Sequence, residues 1–358
     1  MKHAVAVPQT RHSRIEVDRQ ILRDNIRKLG ELTEPGTKHM AVVKANAYGH
    51  GAVETARAVM DEVSWFGVAH VDEAIELREA GIELPILVFG VPEEHTASLY
   101  KTWNLTAVIS DLAHFDLLPE GTHAHLHFDT GMNRLGIRPD QLTEVHSCLD
   151  ATKLSVNGIM SHLACADAPG SAKTRRQIDV ANLLFSKFPP EWERHIHNTG
   201  GILHHYRRGF SMVRHGIGMY GYDPAREPSV LLQPALQWTS RVVQCKPIKA
   251  GETVSYGARW QAERDGWLLA VPVGYADGLP RNLTAKLSYN VRGEPLEVRG
   301  VVTMDYTMLF SDHPVSPGTE VTVLGGDATD ARRLAEDSGT ISYEILSRIA
   351  PKVPRSYI

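Results

Sequence analysis

MAVVKANAYGHGAVETARAVMDEVSWFGVAHVDEAIELREAGIELPILVF, residues 40–89, alternates short apolar runs with longer stretches of helical spacing. Met40–Lys44, Trp65–Ala69 and Ile86–Phe89 read as strands covered on both faces, because each is a short, nearly continuous apolar run bounded by polar residues. Between the first two, Ala52, Val53, Ala56, Ala58, Val59 and Val63 recur at roughly helical spacing. HVDEAIELREAGI supplies a second helix, which Gly81 ends. Strand and helix in strict alternation are the repeat of a parallel sheet.

The same texture continues outward through Thr106–Ile109, His123–Asp129, Val156–Ser161, His195–Asn198 and Met212–Arg214. About eight strand signals, each followed by a helix, predict a (β/α)8 TIM barrel. An open doubly wound sheet is the alternative. Beyond about residue 230 the runs LQWTSRVVQCKPI, WLLAVPVGY, LEVRGVVTM and EVTVLGG, separated by Gly, Pro and Asp, predict a mainly β C-terminal domain. A short helix is expected at SYEILSRIAP, where Pro351 stops it. The expected division is residues 10–228 for the barrel and 229–358 for the β domain, with residues 1–9 a candidate addition to the latter.

A chain of 358 residues exceeds what one compact core usually organises, so two units are expected. With 42% hydrophobic and 22% charged residues the composition is that of an ordinary globular protein, and a net charge of -4 provides no basic footprint for nucleic acid. No apolar run approaches the roughly 18 residues of a membrane span. The start, MKHAVAVPQTRHSRIEVD, lacks the apolar core of a secretory signal, so a cytoplasmic location is expected. Cys148, Cys165 and Cys245 are widely spaced and include no CxxC pair, which argues for packing roles over disulfides or a zinc site.

In a barrel the chemistry gathers at the carboxyl ends of strands. By that rule Lys44 ends the first strand, Arg134 follows the fifth, His162 ends the sixth, Asn198 and Thr199 end the seventh, and Arg214 ends the eighth. Lys44 leaves an apolar strand for a glycine-bearing loop, and burial lowers the pKa of such an amine toward the neutral nucleophile that attacks an aldehyde. Taken singly, each has a plainer reading: a lysine snorkelling to solvent, a core histidine with its hydrogen bonds met, or turn glycines in TGG and GIG.

The segments RIEVD, VVKANAYGHG, DTGMNRLGI, SHLACAD, HNTGG, VRHGIGMYGYDP, SYGARW, VGYADGLPR, VTMDYTM and SYEILSRIAPKVPRSY change that balance. In order and spacing they resemble the alanine racemases from about residue 14 to the C-terminus. The resemblance implies a (β/α)8 barrel with a C-terminal β domain, pyridoxal 5'-phosphate as cofactor, an amino-acid substrate, and a homodimer in which each active site is completed by the partner's β domain. It implies that Lys44 forms an imine with the cofactor and acts as one of two bases, with Tyr256 as the other, on opposite faces of the substrate carbon. A tyrosine has an ordinary pKa of about 10, so Tyr256 must be activated by its surroundings. The cofactor phosphate is expected to meet Tyr48, Thr199, Gly216, Ile217 and Tyr343, with Thr199 standing where relatives usually carry serine, and Asn198 is expected to bind the cofactor beside them. Arg214 is expected to donate to the pyridine nitrogen and leave it unprotonated, which makes the ring a weaker electron sink. His162 is expected to support Arg214. Arg134 is expected to orient the cofactor's phenolic oxygen and the substrate carboxylate, Met304 to donate its backbone N–H to that carboxylate, and Tyr275 to line the access channel.

Three further positions depart from the family pattern. His127 stands where many relatives carry a carbamylated lysine, so the negative charge that group gives Arg134 must come from elsewhere, such as a bound anion, or be absent. His215 replaces a frequent proline, and Thr303 a cysteine or serine. A rival class is a metal-dependent hydrolase on the same barrel, since His123, His125 and His127 alternate along one strand face. A second is a cofactor-binding protein without turnover, and a third keeps the mechanism but acts on serine, lysine or another amino acid.

Overall fold

The computed structural model describes residues 11–225, 227, 232–325 and 330–358. Residues 1–9 and Gly326 of the EVTVLGG run lie outside them. The chain divides into two compact units, one spanning residues 19–233 and the other joining the residues up to Asp18 with 234–358.

The first strand, β1 (Arg14–Val17), falls inside the stretch expected for the barrel, yet it pairs in the β unit. Its alternation explains the placement. Ile15 and Val17 share one fully buried face, and the indole of Trp238 donates to Ser13 Oγ at 2.6 Å beside them. On the other face Arg14 meets Glu320 at 2.9 Å.

The barrel strands are β2 (Lys38–Val42), β3 (Trp65–Val68), β4 (Ile86–Val88), β5 (Thr106–Ile109), β6 (His123–His127), β7 (Ser155–Met160), β8 (Glu193–His195) and β9 (Met212–His215). They form one parallel sheet in the order β8-β7-β6-β5-β4-β3-β2-β9, a nearly closed barrel as expected. Each strand lies within a residue or two of its expected position, apart from β8, which ends at His195, three residues early. At the remaining seam the Arg214 N–H donates to the His197 carbonyl at 3.0 Å. Met40, Trp65, Leu87, Val108, Met160 and Met212, one from each of six strands, fill the interior. Fully burying a side chain of that size stabilises by about 1.5–3 kcal/mol. His125 of β6 and His195 of β8 complete the layer, with the His125 ring 5.0 Å from Trp65 and 5.2 Å from His195.

In the β unit β10 (Leu236–Arg241), β11 (Gln244–Ile248), β12 (Thr253–Val254), β13 (Trp260–Gln261), β14 (Gly266–Val271), β15 (Ser288–Val291), β16 (Glu294–Glu297), β17 (Thr307–Ser311), β18 (Glu320–Leu324) and β19 (Arg355–Tyr357) join β1 in mainly antiparallel sheets. The largest runs β16-β15-β18-β10-β1-β19, and a second runs β11-β14-β17. The expected C-terminal helix is present at Ser342–Ser347. Among the described residues no helix is long and apolar enough to cross a membrane.

Candidate active site

Lys44 follows β2 and opens a turn with an unusual backbone. Ala45, Asn46, Ala47 and Tyr48 all have φ between 51° and 53°, a left-handed helical turn built without glycine. Such a turn costs roughly 1–2 kcal/mol per residue, so it persists only where its surroundings dictate it. They do so here through hydrogen bonds. The N–H of Ala45 donates to Glu73 Oε1 at 2.6 Å, Gly51 N–H to the Asn46 carbonyl at 2.9 Å, and Ala52 N–H to Asn46 Oδ1 at 2.9 Å. Lys44 thus leaves the barrel through a left-handed turn held by hydrogen bonds, at the start of the expected glycine-bearing loop. Burial lowers its pKa, Arg134 and Arg214 push the same way, and the Glu73 charge opposes them.

Arg214 lies at the other side of the β2–β9 pair and is almost fully buried. Its guanidinium donates to His195 Nδ1 at 2.9 Å, to His162 Nδ1 at 3.1 Å, and to the carbonyls of Ser161 and Ile196 at 3.0 and 3.1 Å. The expected contact with His162 is therefore present. Burial pulls the arginine down to about 9, which leaves it cationic at neutral pH. The same burial and the arginine's charge hold His162 and His195 far below the ordinary imidazole range, so both accept as neutral rings. Because a guanidinium only donates, His195 must carry its proton on Nε2, which then donates to His125 Nδ1 at 3.0 Å. His195 gave no functional signal in the sequence, and His125 was read only as a candidate metal ligand, whereas here it pairs with His195.

Tyr48, Thr199 and Gly216 converge on one spot. A Cβ placed on Gly216 would stand 3.3 Å from the Tyr48 hydroxyl and 3.6 Å from Thr199 Oγ1. Thr199 Oγ1 accepts from the N–H groups of Gly216 and Gly218, both at 3.1 Å, and Ile217 opens a short 3-10 turn between them. Asn198 caps the helix Thr199–His205 by accepting from Gly201 N–H at 3.0 Å. The Tyr48 and Thr199 hydroxyls beside the space that Gly216 leaves open suit a phosphate, and with the Lys44 amine they fit pyridoxal phosphate.

Arg134 is exposed on the loop after β6. That loop is shaped by Asp129, whose carboxylate accepts from the N–H groups of Gly131, Met132 and Asn133. Burial would raise this carboxyl, and the three donors outweigh it and hold it below the ordinary range. His127 is buried, depressed to about 4 by burial and by Arg214, and 3.3 Å from Ser110 Oγ. A neutral imidazole brings no negative charge toward Arg134. The three histidines of β6 do not converge on a metal: His123 is exposed, His125 is bound to His195, and His127 to Ser110. His215 instead stacks on His39 across the β2–β9 pair, with Nε2 2.7 Å from His39 Nδ1.

The remaining expected residues lie in the β unit. Tyr256 is 73% exposed beside a cavity of about 590 Å³ lined also by Lys246, Ser255, Thr303 and Tyr306. Its position is set by a strained backbone, with φ of 66° at Ser255 and 48° at Ala258, and by Ser255 Oγ donating to the Val301 carbonyl at 3.0 Å. Thr303 closes the turn to Tyr306 through its hydroxyl, which donates to the Tyr306 carbonyl and accepts from its N–H. Met304, within that turn, and Tyr275 are exposed, and Tyr275 N–H donates to the Thr303 carbonyl at 3.0 Å. Tyr343 is half-buried on the helix Ser342–Ser347.

A half-buried amine and a buried guanidinium at the strand ends of a parallel barrel, joined in one chain to an antiparallel unit bearing an exposed tyrosine, define the barrel-type amino-acid racemases, a class of isomerases. Residues 17–224 match the family model for the alanine racemase N-terminal domain and residues 235–357 that for the C-terminal domain. The chain is 38% identical to the alanine racemase of Symbiobacterium thermophilum, over 96% of each chain. The crystal structure of alanine racemase from E. faecalis superposes with a TM-score of 0.93 at 32% identity, covering 99% of this chain and 100% of that one. A histidine racemase from Leuconostoc mesenteroides superposes with a TM-score of 0.90 at 30% identity, covering 98% and 99%. The chain belongs to the alanine racemase family.

Proposed function

We propose that the protein interconverts L- and D-alanine with pyridoxal 5'-phosphate by a two-base mechanism, acting as a homodimer in the cytoplasm and supplying D-alanine for peptidoglycan. The observation that carries this reading is Lys44: a half-buried amine with a lowered pKa, set by a left-handed turn near two arginines, in a chain of this family. Pyridoxal phosphate, when bound, acidifies the α C–H of an amino acid joined to it.

This chain's own groups do the rest. Tyr48, Thr199, Gly216, Ile217 and Tyr343 hold the phosphate, Asn198 binds the cofactor beside them, and Lys44 holds the aldehyde end. Arg214, pinned by four acceptors, presents a fixed cationic donor that does not give up its proton, and this restrains electron withdrawal and side reactions. Arg134 and the Met304 N–H orient the substrate carboxylate, and Tyr275 restricts the access channel. The neutral Lys44 amine takes or returns a proton on one face of the substrate carbon, and the Tyr256 phenol does so on the other. The exposure of Tyr256, Tyr275, Met304 and Tyr306 supports the dimer, because an apolar and aromatic group of this kind is suited to cover a second copy's barrel.

Incubation with L-alanine and pyridoxal phosphate, followed by chiral chromatography, tests the reading. D-alanine is expected; its absence, with cofactor bound, favours a binding role without turnover. The likeness to a histidine racemase favours a second reading in which the same chemistry serves another side chain, serine, lysine or histidine among them, and the same chromatography across amino acids separates the two.

A further inference from the structure

We infer that Glu73 is a positioning residue for Lys44: its carboxylate clamps the left-handed turn that begins at Ala45 and so fixes where the lysine leaves the barrel. The inference rests on the proposed role of Lys44. Glu73 lies in the first turn of the helix Val71–Glu79, which directs its side chain back toward the loop after β3. One oxygen, Oε2, accepts from the N–H groups of Ala69 and His70 at 2.7 and 3.2 Å. That much is an ordinary capping box, in which a glutamate three residues into a helix reaches back to the cap. The other oxygen does something a cap does not require. Oε1 accepts from Ala45 N–H at 2.6 Å, and so ties the loop after β2 to the loop after β3.

That contact sits at the near end of the turn, where it needs an anchor. The first N–H groups of any helical turn have no partner within it, and a left-handed turn of Ala, Asn, Ala and Tyr has no intrinsic preference to hold it. The bonds from Asn46 fasten the far end of the turn, and Glu73 fastens the near end, at the residue next to Lys44. The carboxylate also contributes charge. Among the groups that act on the Lys44 amine, Arg134 and Arg214 disfavour its protonated form and Glu73 alone favours it, while the neighbouring His162 is neutral. Glu73 therefore sets both the location of the amine and the balance of its two protonation states.

The test uses the full chain, with and without pyridoxal phosphate, as wild type, Glu73→Ala and Glu73→Gln. Hydrogen exchange read by mass spectrometry on residues 45–51 reports the turn, and competitive amine labelling reports the Lys44 pKa. In Glu73→Ala, exchange in that segment is expected to rise about tenfold or more while the other barrel strands keep their protection. In both variants Lys44 labelling at fixed pH is expected to speed up about threefold or more, because loss of the negative charge lowers the amine's pKa. Unchanged exchange and labelling overturn the inference, and so does acceleration spread evenly over the barrel, which would make Glu73 a residue of general stability. Should Glu73→Ala fail to fold, labelling of Glu73→Gln decides alone. If the wild type shows no visible absorbance band with pyridoxal phosphate, the proposed function fails, while both measurements on the cofactor-free chain still decide the role of Glu73.

Discussion

His195 accepts a hydrogen bond from Arg214 through Nδ1 at 2.9 Å, and this single contact orders the barrel interior. It forces the His195 proton onto Nε2, which engages His125 Nδ1 at 3.0 Å, so a cation at the strand ends is backed by two hydrogen-bonded neutral rings that meet edge to face. A hydrogen bond to a charged donor is worth about 1.5–3 kcal/mol, or roughly 10- to 150-fold in a rate that depends on it. His195→Phe is accordingly expected to lower kcat/KM by that order, with a smaller effect on the thermal midpoint. Wild-type kinetics in this variant would show that Arg214 is held sufficiently by His162 and the two carbonyls.

Gly158 on β7 leaves the room that His125 occupies. A Cβ at position 158 would stand 2.4 Å from His125 Cδ2 and Nε2, and the ring is boxed in by Trp65 and His195. Gly158→Ala is expected to destabilise by about 1–3 kcal/mol, the usual cost of overpacking, and to slow turnover by displacing His125 from His195. Differential scanning calorimetry and steady-state kinetics on one preparation check both. A stable variant of normal activity would mean that the relay has slack.

Buried neutral imidazoles make the fold sensitive to acid. Burial depresses His125 and His215 to about 3 and His127 and His197 to about 4, against an unfolded value near 6.5. Below pH 6.5 the unfolded chain takes up protons that the folded one refuses, so stability is full above that pH and is lost as pH falls toward 4. Each such group contributes a slope of about 1.4 kcal/mol per pH unit in that window. The thermal midpoint is expected to be level from pH 7 to 8 and to drop steeply below 6.5, and His215→Gln to flatten the drop. A level midpoint down to pH 4.5 would contradict the neutrality of these rings.

Much of this was legible in the sequence because parallel strands buried on both faces must be short apolar runs, and the barrel rule then places Lys44, Arg134, His162 and Arg214 at one end. Three features were not legible, each for a physical reason. The turn at Ala45–Tyr48 contradicts local propensity, since none of its four left-handed residues is glycine and its anchor, Glu73, sits on another helix. The role of His195 depends on a tautomer, which only its spatial partners determine. And β1 looks like the start of the barrel because helix Arg19–Gly30 follows directly, while the partners that claim it, β10 and β19, lie beyond the whole barrel in sequence.

The most direct test of the central claim, two bases on opposite faces, is α-proton exchange in deuterated solvent from L-alanine and from D-alanine separately, comparing wild type with Tyr256→Phe. The phenyl variant should fold, retain pyridoxal phosphate, and lose exchange from L-alanine far more severely than it loses cofactor. Equal and undiminished racemisation in both directions by Tyr256→Phe would contradict the assignment of Tyr256 as the base opposing Lys44.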